Sequence, residues 1–280
     1  MLERSPLPPP IIHPPRAAVP VLLSVPHSGR EYPQWLIANA AGGRAALESL
    51  EDPLVDRLVW RAVARGVGAV IARAPRASID CNRSADELDP TVIADAGSDA
   101  IGIRARGGLG IVPSRSVSYG RLWRRPIDRA ELGRRVAEAH APFHEGIAEE
   151  LDRIAAIYGH ALLIDCHSMP HRRGQAEVVI GDRNGGSALP WLTQEAARIA
   201  RADKWSVALN DPYAGGFVAE RHGRPDRRVH ALQLEIDRSC YLARDMRSPG
   251  PGFDRATRLI ETLVFGLAEA LSAPDAIAAE

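Results

Sequence analysis

The sequence predicts a three-layer α/β fold, with helices on both faces of a central β-sheet. Three short apolar runs, residues 21–25, 68–72 and 161–165, have the length and the β-branched content of buried strands. Longer segments with apolar residues at helical spacing separate them, and strands that alternate with helices are typical of layered α/β proteins. The chain has 280 residues, 45% of them apolar, which is enough to bury such a core.

The N-terminal residues differ in character from the rest of the chain. Residues 1–20 are rich in proline, and we expect them to form an extended arm on the surface. Residues 21–280 show neither an internal repeat nor a linker, so we predict a single domain over that range. Its first strand, residues 21–25, ends at the turn sequence PHSG.

Further elements follow in alternation along the domain. Apolar residues at helical spacing predict helices over residues 54–64, 127–157, 189–201 and 254–271. Apolar or alternating runs predict two more strands, over residues 177–181 and 229–236. Residues 101–125 contain many glycines and arginines without a clear period, and we expect a long functional loop there.

Charge and composition exclude several classes of function. The 35 basic residues balance the 35 acidic ones, which gives no general attraction to nucleic acid or to an anionic membrane. The chain has no apolar stretch of the ~20 residues needed to span a bilayer, and its N-terminus does not resemble a signal peptide. Cys81, Cys166 and Cys240 lack the spacing of a metal site. We therefore expect a reduced, cytoplasmic protein.

Two segments look alike and carry the residues best suited to chemistry. VLLSVPHSG contains His27 and ALLIDCHSMP contains His167, each after an apolar strand and before a small polar turn. Ligands bind beyond the carboxyl ends of strands in open α/β sheets, and neutral imidazole is the commonest metal ligand. We interpret the pair as part of a zinc-type site. The alternative is that both histidines are structural and hydrogen-bonded within turns.

A catalytic zinc usually has three protein ligands and one position for water. Asp52, at a predicted helix start, is our candidate for the third ligand, and its neighbour Glu51 is the main competitor. Asp165 lies two residues before His167 and is a candidate for orienting an imidazole from outside the metal's own ligands.

Other residues suit the handling of substrate. Glu235 lies in the otherwise apolar run VHALQLEI, where it either serves as a general base near the metal or faces solvent on an edge strand. Arg76, Asn82 and Arg83 cluster in one short segment. Guanidinium groups and an amide suit a substrate carboxylate and a polarised carbonyl oxygen.

Rival catalytic motifs are absent from the sequence. His144 is followed by Glu145 but not by the second histidine of HExxH, so we expect His144 to be packed or to support the site indirectly. There is no GxSxG motif and no phosphate-binding loop. Cys166 next to His167 suggests a thiol nucleophile only weakly, because adjacent residues of an extended chain point to opposite sides.

Six motifs, in this order, resemble the N-formylglutamate amidohydrolase family over roughly residues 20–245. They are PHSG (26–29), ED (51–52), IDCNR (79–83), DCHSMP (165–170), NDPYAGG (210–216) and LQLEIDRSCY (232–241). The resemblance implies a mixed, mostly parallel sheet related to that of zinc carboxypeptidases and aspartoacylases. It also implies one zinc ion per chain.

By the same resemblance, the zinc ligands are His27, His167 and Asp52, and Glu235 activates water. Asn82 and Arg83 match an Asn-Arg pair that contacts substrate. Further candidates for the site are Glu51, His144, Asp165, Tyr213 and His230.

The resemblance implies hydrolysis of a small N-acyl amino acid, such as N-formyl-L-glutamate. Two alternatives stay open. One is a metal-dependent acylase or carboxypeptidase-like hydrolase that acts on another amide or peptide. The other is a non-catalytic protein that binds small ligands on the same fold.

Overall fold

The structure, a computed structural model, describes residues 4–94, 96 and 102–273. Contacts between Cα atoms divide the chain into two compact units. The first unit consists of the described residues of segments 1–11, 26–51 and 71–145, and the second consists of those of segments 12–25, 52–70 and 146–280.

The strands carry labels in chain order. They are β1 (Ile11–His13), β2 (Val21–Val25), β3 (Gly68–Ile71), β4 (Arg115–Ser116), β5 (Gly120–Arg121), β6 (Ala161–Met169), β7 (Val178–Gly181), β8 (Val207–Leu209) and β9 (Val229–Asp237). Seven of them form one sheet with the order β1-β3-β2-β6-β9-β7-β8, while β4 and β5 form a separate antiparallel hairpin.

The large sheet is mixed and mostly parallel. Strand β6 is parallel to both β2 and β9, and β7 is parallel to β8 but antiparallel to β9. Every residue of β2, β6 and β9 is buried. Strands that are buried along their whole length must be covered on both faces. The predicted fold class is therefore confirmed, whereas the relation to zinc carboxypeptidases stays a prediction.

The helices also carry labels in chain order. They are α1 (Gln34–Asn39), α2 (Gly43–Glu48), α3 (Val55–Leu58), α4 (Trp60–Ala64), α5 (Ile103–Arg106), α6 (Arg129–Arg135), α7 (Ala141–Tyr158), α8 (Pro190–Ala202), α9 (Phe217–His222) and α10 (Phe253–Leu271). Among the described residues, no helix is both long enough and apolar enough to cross a membrane.

The long helices follow the predicted apolar spacing. Helix α10 buries Leu259, Leu263 and Leu267, which are four residues apart and share one face. Helices α8 and α10 match the helices predicted over residues 189–201 and 254–271.

The helix predicted over residues 127–157 is present in three parts. Helix α6 continues through a π-helical turn, Val136–His140, into α7. Pro142 lies just after this π-helical turn, and the wider turn accommodates a residue that has no backbone N–H to donate.

The segment after Asp52 also differs from a continuous helix. It forms α3 and then α4, with Val59 between them. Leu54, just before α3, has a left-handed backbone with φ of 63°. This conformation is uncommon for a residue other than glycine, asparagine or aspartate.

The first unit has its own apolar core, which includes Leu36, Ile79, Ile93 and Leu122. Leu7, from the proline-rich segment, is buried in the same core. The N-terminal segment is thus more than a surface arm, since it supplies a core side chain and, at residues 11–13, strand β1. The loop predicted over residues 101–125 contains α5 and the β4–β5 hairpin, although Ile101 lies outside the described residues.

Candidate metal centre

His27 follows β2 and belongs to the first unit, where it is buried and 2% exposed. Its Nε2 lies 2.7 Å from Oδ1 of Asp80, a fully buried carboxylate. Asp80 also accepts hydrogen bonds from Nε of Arg76 at 2.9 Å and from the backbone N–H of Asn82 at 2.8 Å. Since Asp80 engages Nε2, a metal would be bound through Nδ1 of His27.

The charge state of Asp80 follows from its neighbours. Burial alone would raise its pKa, but His27, Arg76 and Arg83 together hold the pKa of this carboxyl well below its usual value. A carboxylate behind a metal-binding imidazole fixes the ring's tautomer and increases its basicity. Asp80 is therefore suited to orient His27.

His167 lies within β6, in the second unit, and not beyond the end of the strand as the sequence had suggested. Strand β6 continues to Met169 because its polar side chains find hydrogen-bond partners inside the sheet. In the pairing of β6 with β9, His167 lies beside Glu235. Alternation along the strand places Asp165 and His167 on one face and Cys166 on the other.

Both ring nitrogens of His167 contact carboxylates. Nε2 lies 2.8 Å from Oδ2 of Asp165, and Nδ1 lies 3.0 Å from Oδ2 of Asp52. Asp165 is held in turn by the hydroxyl of Ser24, which donates to its Oδ1 at 2.7 Å. The contacts of Asp165 match its predicted role as an orienting carboxylate.

The pKa of His167 reflects competing effects. Burial disfavours the charged ring, but the carboxylates of Asp165 and Asp52, with a further contribution from Glu235, raise its pKa well above the usual value. The carboxylates therefore favour positive charge at this position, and a bound cation would replace a ring proton there.

The two acidic candidates for the third ligand have different surroundings. Asp52 contacts His167 through Oδ2 and accepts a hydrogen bond from Arg238 through Oδ1, at 2.9 Å. Glu51, in the first unit, accepts a short hydrogen bond from the hydroxyl of Tyr32. The geometry favours Asp52 over Glu51.

One potential ligand atom from each of His27, Asp52 and His167 lies within 4.8 Å of the other two, and all three residues are buried. A four-coordinate zinc with bonds of about 2.1 Å holds its ligand atoms about 3.4 Å apart, so this group is compact enough for one ion. Two imidazoles and one carboxylate also form a donor set that zinc accepts in catalytic sites. The residues thus fit the metal that the sequence predicted.

Glu235 is buried in β9, which lies between β6 and β7 in the sheet. The alternative of a solvent-facing residue on an edge strand is therefore wrong. Nε2 of Gln233 donates to Oε1 of Glu235 at 3.0 Å, and Oε1 of Gln233 accepts from the backbone N–H of Gly216 at 2.7 Å. This arrangement fixes the orientation of the Glu235 carboxylate.

The predicted substrate-binding residues lie together in the first unit, after β3. Arg76 is ion-paired with Asp80. Arg83 donates from Nε to the carbonyl of Leu109 at 2.8 Å and from Nη1 to the carbonyl of Asn82 at 2.7 Å, and burial lowers its pKa. These contacts hold the segment in place, and the roles of Arg76, Asn82 and Arg83 toward substrate stay predictions.

The remaining candidates divide into near and remote ones. Tyr213 is half-buried, and burial together with the nearby carboxylate of Glu235 raises its pKa. His230 also lies on β9, but the alternation of the strand places it on the face opposite to Glu235. His144 is buried in α7, with its ring centroid 4.5 Å from that of His140. That contact agrees with the packed role expected for His144.

Sequence reasoning missed Asp80, Gln233 and Arg238. A signal for Asp80 was present, because Asp80-Cys81-Asn82 repeats the Asp-Cys pair that precedes His167. Arg238 lies within the motif LQLEIDRSCY, but its residue type did not single it out in a chain so rich in arginine.

Residues 19–242 match the family described as N-formylglutamate amidohydrolase, in agreement with the range of the predicted resemblance. The chain belongs to this family. The N-formylglutamate deformylase of Pseudomonas aeruginosa is 30% identical over 236 residues, which cover 81% of this chain and 84% of that protein. The N-formylglutamate deformylase of Pseudomonas putida is 29% identical over 237 residues, or 80% of this chain and 82% of that protein.

One solved structure agrees with membership of this family, and a second shows the same fold. The crystal structure of N-formylglutamate amidohydrolase from Ralstonia eutropha JMP134 matches with a TM-score of 0.84 and 31% identity, covering 94% of this chain and 98% of that one. The gene product Atu2144 from Agrobacterium tumefaciens has the same fold, with a TM-score of 0.66 and 21% identity over 94% of this chain and 96% of that one.

Proposed function

We propose that this protein is a zinc-dependent amidohydrolase that cleaves the amide bond of an N-formyl amino acid, with N-formyl-L-glutamate as the expected substrate. The observation that carries the proposal is the buried group of His27, Asp52 and His167. The names of the relatives, N-formylglutamate deformylase and N-formylglutamate amidohydrolase, support the choice of substrate.

Zinc at this group would polarise the substrate carbonyl and lower the pKa of water toward ~7. The two histidines are suited to hold it because an aspartate engages Nε2 of each ring, which leaves both rings oriented by a carboxylate. Asp52 completes the ligand set.

Glu235 is proposed as the general base that takes a proton from the attacking water and then passes it to the leaving amine. The hydrogen bond from Gln233 to Oε1 holds this carboxylate in a fixed orientation for proton transfer. Its burial in β9, beside His167 in the pairing of β6 and β9, supports this role.

Arg76, Asn82 and Arg83 are proposed to bind the substrate's carboxylate and to stabilise the developing oxyanion. The partners expected are therefore small N-acyl amino acids. We also propose a cytoplasmic location, since Cys81, Cys166 and Cys240 are free thiols.

The test is turnover of N-formyl-L-glutamate by the zinc-loaded protein, measured as release of free glutamate. Glu235→Gln is expected to lower kcat by roughly 10²–10⁴-fold while substrate binding, measured by calorimetry, is kept. Glu149→Gln, at an exposed position of α7, is the matched control and should behave as wild type.

Other results of this experiment would assign the protein a different function. Hydrolysis of N-acetyl amino acids or short peptides, without hydrolysis of N-formyl substrates, would make the protein an acylase of the carboxypeptidase-like kind. Binding without turnover of any N-acyl amino acid would make it a non-catalytic binding protein. Full activity of Glu235→Gln would remove Glu235 from the mechanism.

A further inference from the structure

We propose that Arg238 is a positioning residue that makes Asp52 bind the metal through a single oxygen. The proposal rests on the proposed function, because it assumes that Asp52 is a metal ligand. It goes further by assigning a role to Arg238, which lies within the motif LQLEIDRSCY but was not among the candidate site residues.

The contacts of Arg238 divide the two oxygens of Asp52 between different partners. Nη2 of Arg238 donates to Oδ1 of Asp52 at 2.9 Å, while Oδ2 of Asp52 lies 3.0 Å from Nδ1 of His167. Ser168 also holds the Arg238 guanidinium: its Oγ accepts from Nε at 3.1 Å, and its carbonyl lies 3.4 Å from the same Nη2. A planar guanidinium held through two of its nitrogens has little freedom to follow a moving carboxylate.

The backbone next to Asp52 is held by the same segment of the chain. Arg238 begins a short 3₁₀ turn, Arg238–Cys240, and Tyr241 follows it. The hydroxyl of Tyr241 donates to the carbonyl of Pro53 at 2.7 Å. Residues 238–241 thus form hydrogen bonds with both the side chain of Asp52 and the backbone of Pro53.

The backbone conformation at Leu54 explains why the contacts from residues 238–241 are needed. Leu54 has a left-handed backbone with φ of 63°, which leucine adopts only when its surroundings enforce it. The chain therefore turns sharply between Asp52 and helix α3. Contacts from residues 238–241 oppose relaxation of this turn, which would carry Asp52 away from His167.

The chemical consequence concerns coordination. A carboxylate with two available oxygens can bind a metal in a bidentate manner and fill a position that a catalytic zinc needs for water or substrate. Because Oδ1 accepts a hydrogen bond from Arg238, Oδ2, which lies next to His167, is the oxygen that would bind the metal.

The test measures zinc affinity directly. Apo-protein is prepared by chelation, and the dissociation constant for zinc is measured by competition with a fluorescent chelator. Arg238→Gln is expected to raise this constant by about 10–100-fold, as for other partners of metal ligands. Arg238→Lys should recover part of the affinity, since an ammonium can reach Asp52 or Ser168 but cannot bridge them as a fork does.

If Arg238→Gln folds poorly, a second variant tests the same contact, and a third variant is the control. Ser168→Ala keeps the charge of Arg238 but removes the acceptor of its Nε, and a smaller increase in the zinc dissociation constant is expected. Arg244→Gln, at an exposed position nearby, is the matched control and should not change the affinity.

A spectroscopic measurement separates positioning from a general structural role. The cobalt(II)-substituted wild-type protein should show the strong visible absorption of a low-coordinate site. In Arg238→Gln the absorption should weaken as Asp52 becomes bidentate and the coordination number rises.

Equal zinc affinity and equal cobalt spectra in wild type and Arg238→Gln would overturn this inference and leave the proposed function intact. Failure of the wild-type protein to bind zinc at all would overturn both.

Discussion

Replacement of Asp80 by alanine tests whether the buried network behind His27 stabilises the fold as well as the site. The carboxylate is fully buried and has three polar contacts, with Nε2 of His27, Nε of Arg76 and the backbone N–H of Asn82. Its removal leaves the Arg76 guanidinium without its ion-pair partner in a largely buried position. We expect Asp80→Ala to lower the free energy of unfolding of the apo-protein by about 3–5 kcal/mol.

The magnitude follows from how the contacts combine. A hydrogen bond to a charged group contributes about 1.5–3 kcal/mol, but three that share one carboxylate do not add, because water fills the space that alanine leaves. The loss of a partner from a buried ion pair is therefore the better guide. Asp80→Asn keeps the shape and loses the charge, and it should fall between wild type and Asp80→Ala.

The same substitution makes a prediction about pH. The folded-state pKa of Asp80 lies below its unfolded value, so its contribution is present at neutral pH and is lost as the pH falls toward the folded-state pKa. Acid should therefore destabilise Asp80→Ala less steeply than wild type.

The assay is urea unfolding in the presence of a chelator, followed by circular dichroism. Asp86→Ala, which changes an exposed aspartate six positions further along the same loop, is the matched control. A difference below about 1 kcal/mol between Asp80→Ala and Asp86→Ala would refute the reasoning.

Three shorter predictions concern other residues. Asp52→Asn should weaken zinc binding far more than Glu51→Gln, because Asp52 contacts His167 whereas Glu51 accepts a hydrogen bond from Tyr32; competition with a chelator measures both. Gln233→Leu removes the hydrogen bond that orients the carboxylate of Glu235 and should lower kcat more than it raises KM for N-formyl-L-glutamate, in steady-state assays. Burial and the nearby Arg221 lower the pKa of His222 to about 3, so His222→Gln should flatten the fall in stability between pH 6.5 and pH 3, by roughly 4 kcal/mol in urea unfolding.

The sign of the last prediction follows from proton counting. The unfolded chain binds a proton at His222 below its ordinary pKa, while the folded chain does not until about pH 3, so stability rises with pH over that interval. A His222→Gln protein with the pH dependence of wild type would contradict it. A larger loss of zinc affinity in Glu51→Gln, or a change confined to KM in Gln233→Leu, would contradict the other two.

Much of the large sheet could be predicted because its strands are apolar along their whole length. Strands β2 and β3, and the first part of β6, read as continuous buried runs, and helices α8 and α10 have clear helical spacing. Helices α1 and α2 have six residues each, which is too short for a period to show.

The end of β6 shows why polar residues obscure a strand boundary. Residues 165–169 contain Asp165 and His167, which in sequence look like the start of a turn. In the fold the two side chains form a hydrogen bond with each other, and the backbone continues to pair with β9. Burial of a polar residue depends on its partner, and the partner is known only from the structure.

The sequence predicts those residues of the candidate site whose side chains are typical metal ligands or partners of such ligands. His27, His167 and Asp52 come together, and Asp165 lies behind an imidazole as expected. The supporting contacts could not be predicted, because Arg238 and Asp52 are far apart in sequence and meet only through the fold. Asp80 is the intermediate case, since the repeated Asp-Cys pair marked it only once the role of Asp165 was known.

The central claim is that His27, Asp52 and His167 hold one catalytic zinc. The most direct measurement is the metal content of the purified protein by elemental analysis, combined with hydrolysis of N-formyl-L-glutamate before chelation, after chelation and after zinc is restored. The account predicts about one zinc per chain, loss of activity on chelation and its return with zinc. A protein that takes up no zinc under any loading condition, or that hydrolyses the substrate equally well after complete removal of metal, would contradict the account.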